Sequence, residues 1–105
     1  MTAGTKYDQE KSRVDLLDSD WLLEVGNVLA FGARKYAAHN WRGGISSSRL
    51  LAAAFRHLLA ILRGEDIDPE SGLSHIGHLS CCAMFLYWTL KHKPDLDDRY
   101  KYGSN

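Results

Sequence analysis

The stretch LLAAAFRHLLAILRGEDIDPESGLSHIGHLSCCAMFLYW (50–88) decides the fold, because it holds two apolar helical patterns separated by a short acidic connection. The first pattern repeats at spacings of three and four residues, the period of an α-helix with one buried face. It predicts a helix from about Ser48 to Arg63, ended by Gly64. The predicted buried face consists of Leu51, Phe55, Leu58, Leu59 and Leu62.

A second long helix is predicted after the acidic connection at 64–72. Pro69 suits the first turn of a helix and Asp68 can cap it, so we expect the helix to run from there to about Lys91. Its sequence is apolar around most of its circumference, which predicts burial on several sides. The three helices of one small chain cover such a surface poorly. The sequence therefore favours an all-α helical bundle completed by oligomerisation, as a homodimer or homotetramer.

The first of the three helices is predicted upstream of this stretch. Asp18, Ser19 or Asp20 can cap it, and its apolar stripe continues to Tyr36. The following segment, HNWRGGISSS (39–48), is expected to be a loop, because two glycines interrupt the helical pattern.

The composition is typical of one small soluble domain, with an N-terminal arm at 1–17 and a loosely attached tail at 92–105. Thirteen Lys and Arg balance thirteen Asp and Glu, and a net charge of zero argues against nucleic-acid binding. The chain has no apolar run long enough to span a membrane. Its polar start and its adjacent Cys81 and Cys82 predict a reduced, cytoplasmic protein without disulfides or a cysteine metal site.

Four carboxylates crowd the acidic connection within six residues. They are Glu65, Asp66, Asp68 and Glu70. Hard divalent cations such as Mg²⁺ prefer oxygen ligands of this kind, often together with substrate phosphates. We therefore consider a metal site here, the alternative being that Asp68 and Glu70 serve only the start of the next helix.

Three histidines are predicted to meet across the pair of long helices. The connection between these helices is short, so they should pack antiparallel, and residues equally far from the turn should face each other. His57 would then lie opposite His75 and His78, with Arg56 beside it. Such a group can bind a metal or move protons, although a single buried histidine is more often simply hydrogen-bonded.

Polar residues of the first helix and the following loop are further candidates. Glu24 is the one acid in the apolar body of that helix, so it must be paired, exposed or bound to metal. At the end of the helix, Lys35 is followed by Asn40 and Trp41. A lysine, an amide and an aromatic plane suit a purine nucleotide, although an aromatic residue there also serves as a core plug. Arg56 is a further phosphate candidate, since guanidinium matches phosphate geometry.

With these residues in view, the chain resembles the phage dATP/dGTP diphosphohydrolase (MazZ) family, which is related to the MazG-like all-α nucleotide pyrophosphohydrolases. The resemblance rests on EVGNVLAFGARKYAAHNWRGG (24–44) and AAAFRHLLAILRGEDIDPESGLSHIGHLSCCAMFL (52–86), and extends over about residues 6–100. It implies hydrolysis of a purine deoxynucleoside triphosphate, dGTP with dATP or GTP as alternatives, to the monophosphate and pyrophosphate. It also implies Mg²⁺ or Mn²⁺, a helical oligomer and a phage or bacterial cytoplasm.

The resemblance also implies roles for the candidate residues. Glu24, Glu65, Asp68 and Glu70 would hold the metal, and Lys35 and Arg56 would stabilise negative charge on the phosphates. Asn40 and Trp41 would recognise the base, while His57, His75 and His78 would belong to the catalytic group, His78 or a carboxylate taking the proton of the attacking water.

The sequence departs from the general MazG-like pattern at the metal-binding acids. His75-Ile-Gly-His78 stands where that pattern has ExxD, and the paired glutamates correspond either to Arg56-His57 or to Glu24 with Asn27. The metal ligands are therefore either the carboxylates or a site rebuilt around histidines. Two other functions stay open: a non-catalytic nucleotide-binding module, and a helical module whose oligomerisation is its function.

Overall fold

Three α-helices make up most of the computed structural model, which describes residues 4, 5, 7, 9–101 and 103. The helices are α1 (Ser19–Lys35), α2 (Ser47–Leu62) and α3 (His75–His92). Helix α3 is central, because both α2 and α1 pack against it. The predicted all-α bundle of three main helices is confirmed. Parts of the arm at 1–17 and the tail at 92–105 lie outside the described residues.

Short 3-10 turns flank the helices at Val14–Leu16, Asn40–Gly43 and Pro94–Leu96. The second of these lies within the predicted loop 39–48, where Gly44 adopts a positive φ of 108°. None of the described helices has the length and apolar character needed to cross a membrane.

The connection between α2 and α3 is a small β-hairpin, so the prediction that α3 begins at Pro69 is wrong. Strand β1 (Ile67–Asp68) pairs antiparallel with β2 (Leu73–Ser74). Gly72 closes the turn at a φ of 73°, a conformation that glycine adopts without a steric penalty.

The true start of α3 is set by Ser74, whose hydroxyl accepts a hydrogen bond from the Gly77 amide at 2.9 Å. Asp68 does not cap the helix; its Oδ1 accepts from the Glu70 amide within the turn at 2.9 Å. The backbone groups around Pro69 belong to a hairpin whose strands are hydrogen-bonded to each other instead of to a helical turn. The helix therefore starts at His75, six residues after Pro69.

Helix α1 begins as predicted and is joined to α3 by a polar contact. The Asp18 carboxylate accepts from the Trp21 amide at 2.9 Å as an N-cap. The Trp21 indole Nε1 donates to Ser80 Oγ of α3 at 2.9 Å. Cys81 and Cys82 are both free thiols buried in α3.

The segment after α3 is hydrogen-bonded to the first residues of α2 through Asp98. The expectation of a loosely attached tail is therefore wrong at this position. Asp98 accepts hydrogen bonds from the Ser48 amide at 2.7 Å and from the hydroxyls of Ser47 and Ser48 at 2.8 and 2.6 Å. A carboxylate at this position satisfies free amides of the first turn and interacts favourably with the positive end of the helix.

We expect this cap to give an acid-sensitive stabilisation. Hydrogen bonds from Ser48 and Ser47 lower the pKa of Asp98. The stabilisation is therefore complete above the usual aspartate pKa of about 4 and is lost as the pH falls through the lower folded value. Asp98→Asn should lower the free energy of urea unfolding at pH 7 and have a smaller effect at pH 3. Equal effects at both pH values would contradict this role.

Candidate functional site

A pocket of about 970 Å³ lies where α1, α2, the hairpin and α3 meet. All of the site residues predicted from the sequence line it, except Glu24. They are Lys35, Asn40, Trp41, Arg56, His57, Glu65, Asp68, Glu70, His75 and His78. The three helices and the hairpin thus bring cationic, acidic and imidazole groups to one concave surface.

The three histidines meet across α2 and α3, as the spacing from the turn predicted. His57 Nδ1 lies 2.9 Å from His75 Nδ1, within hydrogen-bonding distance. The rings of His57 and His78 stack, with centroids 4.8 Å apart and planes 8° apart. Such close packing of two imidazoles requires that they are not both charged.

His75 is the buried member of the group, with only 5% of its surface exposed. Its Nε2 lies 2.7 Å from Glu65 Oε1. Both ring nitrogens are therefore occupied, one by a carboxylate from the end of the α2–β1 connection and the other by His57. This pairing satisfies a polar ring that would be costly to bury alone.

His78 is held by two residues of the hairpin. Its Nε2 lies 2.7 Å from Ser71 Oγ and 3.6 Å from Asp68 Oδ2. His78, His57 and Asp68 could hold a metal ion together, because one ligand atom of each lies within 4.8 Å of the other two.

Burial lowers the pKa of both His57 and His78. Repulsion from the other histidines and from Arg56 lowers the pKa of His57 further, while Asp68 opposes the shift in both rings. Both imidazoles are therefore neutral near neutral pH, which leaves each with an unprotonated nitrogen.

The acidic side chains predicted to bind a metal in the connection between α2 and α3 each contact a different basic or histidine side chain. Glu70 Oε1 accepts from Lys35 Nζ at 2.7 Å, a pair that joins the hairpin to the end of α1. Glu65 binds His75, and Asp68 faces His78. Because each carboxylate points to its own partner, the four predicted acids do not form one compact oxygen site among the described residues.

Glu24 lies at the contact between α1 and α3 rather than on the pocket lining. Its Oε2 accepts from the Ser74 amide at 2.9 Å, and its Oε1 lies 3.4 Å from Asn27 Nδ2. Hydrogen bonding with Ser74 lowers the pKa of Glu24, so the carboxylate stays ionised at the positive end of α3. This position gives Glu24 a clear structural role.

Trp41 lines the pocket and is also part of an aromatic cluster. It stacks on Phe85 with ring centroids 4.7 Å apart and meets Trp88 edge-on at 5.3 Å. The Arg42 guanidinium lies over the indole, 4.2 Å from its centroid. The packed indole gives the pocket a rigid wall, and Asn40 lies beside it on the lining.

Two serines of the hairpin were missed by the sequence reasoning. Ser71 contacts His78, and Ser74 both caps α3 and binds Glu24 through its amide. A helix predicted from Pro69 onward gives these serines no turn or cap position. A serine three residues before Gly77, next to a helical apolar pattern, is the N-cap signal that could have found Ser74.

Fold and site together define a small helical domain with a pocket of histidine, carboxylate and basic side chains. Residues 1–99 match the family model described as dATP/dGTP diphosphohydrolase, N-terminal, and the chain belongs to this family. It is 42% identical over 96 residues to the dATP/dGTP diphosphohydrolase of Salmonella phage PMBT28. The match covers 91% of the chain and 33% of that relative, so the chain spans about a third of the relative's length. No solved structure matches the chain.

A close approach of α1 to α3 at Gly77 positions the start of α3 beside the pocket. A Cβ at this position would lie 3.0 Å from both Glu24 Cγ and Val28 Cγ2. We expect Gly77→Ala to lower the free energy of unfolding by about 1–3 kcal/mol through overpacking, measured by urea denaturation. Gly26→Ala in α1 is the control, because a Cβ there meets nothing within 4 Å. A Gly77→Ala protein as stable as the Gly26→Ala protein would refute the tight contact.

Proposed function

We propose that this domain takes part in metal-dependent hydrolysis of a purine deoxynucleoside triphosphate to its monophosphate and pyrophosphate. The preferred substrate is dGTP, with dATP and GTP as alternatives. Family membership supports the proposal, and the observation that carries it is the gathering of basic, acidic and imidazole side chains from all three helices in one pocket.

Two cations of the pocket are suited to the triphosphate. Lys35 projects from the end of α1 and Arg56 from α2, and both line the pocket. The salt bridge to Glu70 raises the pKa of Lys35, so the ammonium stays charged. These groups would neutralise the charge that develops on the pyrophosphate leaving group, while guanidinium matches phosphate geometry.

A divalent cation, Mg²⁺ or Mn²⁺, would polarise the attacking water and the phosphate oxygens. The donor set of the pocket fits Mn²⁺, because one ligand atom each of Asp68, His57 and His78 lies within 4.8 Å of the other two. Glu24, Glu65 and Glu70 stay predicted ligands from the family resemblance, each with a partner of its own in this structure.

The reaction would place water on the α-phosphorus and break the bond to the bridging oxygen, which leaves with pyrophosphate. A pocket carboxylate or the neutral His78 ring can accept the proton of that water. Asn40 would contact the purine edge beside the wall formed by Trp41. His57 and His75 would hold their positions in the group through their mutual hydrogen bond.

The direct test is to incubate the chain with each dNTP and NTP, in Mg²⁺, in Mn²⁺ and in EDTA, and to separate the products. We expect monophosphate and pyrophosphate from dGTP or dATP, and no turnover in EDTA. Release of a nucleoside and triphosphate would mean that a different bond is cleaved and that this assignment is wrong.

Arg56 provides a matched mutational test. Arg56→Gln should lower kcat/KM by about 10- to 100-fold, since loss of a charge-assisted hydrogen bond costs about 1.5–3 kcal/mol. Arg63→Gln serves as the control, because Arg63 lies at the end of the same helix, is exposed and is not on the pocket lining. Equal activity of the two variants would remove Arg56 from the proposed site.

A non-catalytic nucleotide-binding domain is the second candidate. It is favoured by the fact that the chain spans a third of its relative, so a catalytic centre of such a protein can lie in the remainder. Nucleotide binding without turnover in the assay above would support this candidate.

Assembly into a homodimer or homotetramer belongs to the same proposal. Large apolar side chains of the helices stay exposed in the single chain, among them Phe55, Leu62 and Tyr87. A second copy would remove such surface from water. The mass of the protein in solution, measured by light scattering, tests this assembly.

A further inference from the structure

We propose that His57, Asp68 and His78 together bind one divalent transition-metal ion, and that the buried His75, paired with Glu65, holds His57 in the tautomer that binds it. The proposal rests on the proposed function and deepens it by naming the ligands and the class of metal; with His78 as a ligand, the proton of the attacking water goes to a pocket carboxylate. It can be tested without turnover, because metal binding is measurable in the absence of nucleotide.

The first argument is the kind of donor atom. Two ring nitrogens and one carboxylate oxygen lie within 4.8 Å of one another. Two histidines and one carboxylate are a donor set of Mn²⁺, Fe²⁺, Co²⁺ or Zn²⁺, whereas Mg²⁺ prefers oxygen ligands alone. The four predicted acids would have formed an all-oxygen site, but the structure separates them onto different partners.

The second argument is the tautomer of His57. The Glu65 carboxylate can only accept, so the His75 nitrogen facing it, Nε2, carries the proton. With an ion on His57 Nε2, the proton of the His57 ring is on Nδ1, which donates to His75 Nδ1 at 2.9 Å. A metal-binding histidine whose other N–H is held by a carboxylate-linked group is the usual arrangement around protein metal ions.

The third argument is the orientation of Asp68. Its Oδ1 is occupied by the Glu70 amide, which leaves Oδ2 directed towards His78 at 3.6 Å. Asp68 is well sheltered, with 16% of its side chain exposed. The hairpin therefore presents one carboxylate oxygen to the two imidazoles instead of to solvent.

Binding requires one adjustment of the rings. His57 and His78 are parallel within 8°, and an ion must lie near the plane of each ring that binds it. His57 is anchored through His75, so His78 turns about its Cβ–Cγ bond and exchanges its contact with Ser71 for the metal. Three protein ligands leave open positions towards the pocket, as in catalytic rather than structural metal sites.

The test is to measure Mn²⁺ binding to the full chain without nucleotide, by calorimetry and by electron paramagnetic resonance. We expect one Mn²⁺ per chain and a binding at least tenfold tighter than that of Mg²⁺. His57→Gln, Asp68→Asn and His78→Gln should each weaken Mn²⁺ binding by tenfold or more. The controls are His92→Gln and Asp66→Asn, whose side chains are exposed and lie off the pocket lining. Mn²⁺ affinity that is unchanged in both histidine variants would overturn the proposal.

The Glu65–His75 pair has its own readout. Glu65→Ala should weaken Mn²⁺ binding by about 10- to 100-fold, the usual effect of losing an outer partner of a metal ligand. In the unsubstituted protein, long-range ¹H–¹⁵N correlation spectra should show His57 protonated on Nδ1 and bare on Nε2. The opposite tautomer would contradict the arrangement even if the variants failed to fold.

The outcomes separate this proposal from the proposed function. Mn²⁺ binding through these three residues without hydrolysis of any nucleotide would support the metal site and refute the hydrolase. If the His57, Asp68 and His78 variants keep both their Mn²⁺ affinity and metal-dependent hydrolysis, the proposed function is supported and the assignment of these three residues as ligands is refuted.

Discussion

The hydrogen bonds of His75 are the interaction on which the rest of the site depends. This residue is the first of α3, and its backbone amide donates to the carbonyl of Asp66 at 2.9 Å. Its ring connects Glu65 on one side with His57 of α2 on the other. One buried imidazole thus joins α2, the hairpin and α3, and it determines which nitrogen of His57 faces the pocket. Loss of either partner would leave a buried polar ring unsatisfied, which is costly.

A second constraint acts on the other side of α3, where Gly77 allows α1 to approach closely. The Glu24 carboxylate reaches the Ser74 amide because no side chain stands between the two helices at this point. The hairpin is therefore held at the end of its second strand by Glu24 through Ser74, and at its turn by Lys35 through Glu70. These contacts keep Asp68 and Ser71 against His78, so the geometry of the pocket also depends on Glu24, which does not line it.

The proposed chemistry of this member of the dATP/dGTP diphosphohydrolase N-terminal family rests on the exchange of acids for imidazoles. Where the MazG-like pattern would offer carboxylates, this pocket offers imidazole rings that contact carboxylates. Neutral nitrogen donors bring less negative charge to the pocket than carboxylates do. In the proposed function, Lys35 and Arg56 would then face the phosphates with less competition from acidic ligands, since Glu70 alone forms a salt bridge with Lys35 among the described residues.

Much of the architecture could be predicted from the sequence, because it depends on local patterns. Apolar periodicity predicted the three helices, Asp18 predicted the start of α1, and equal distances from the turn placed His57 opposite His75 and His78. The β-hairpin, the contact of Glu24 with the Ser74 amide and the Asp98 cap could not be found this way. Each depends on a partner distant in the chain or on a competition between strand and helix that local propensity does not decide. The sequence by itself determined the helices and the meeting of the three histidines. Only the tertiary structure decided that Glu24 lies off the pocket and which atom of each group faces which partner, because that choice is made by packing and hydrogen bonding among all the elements at once.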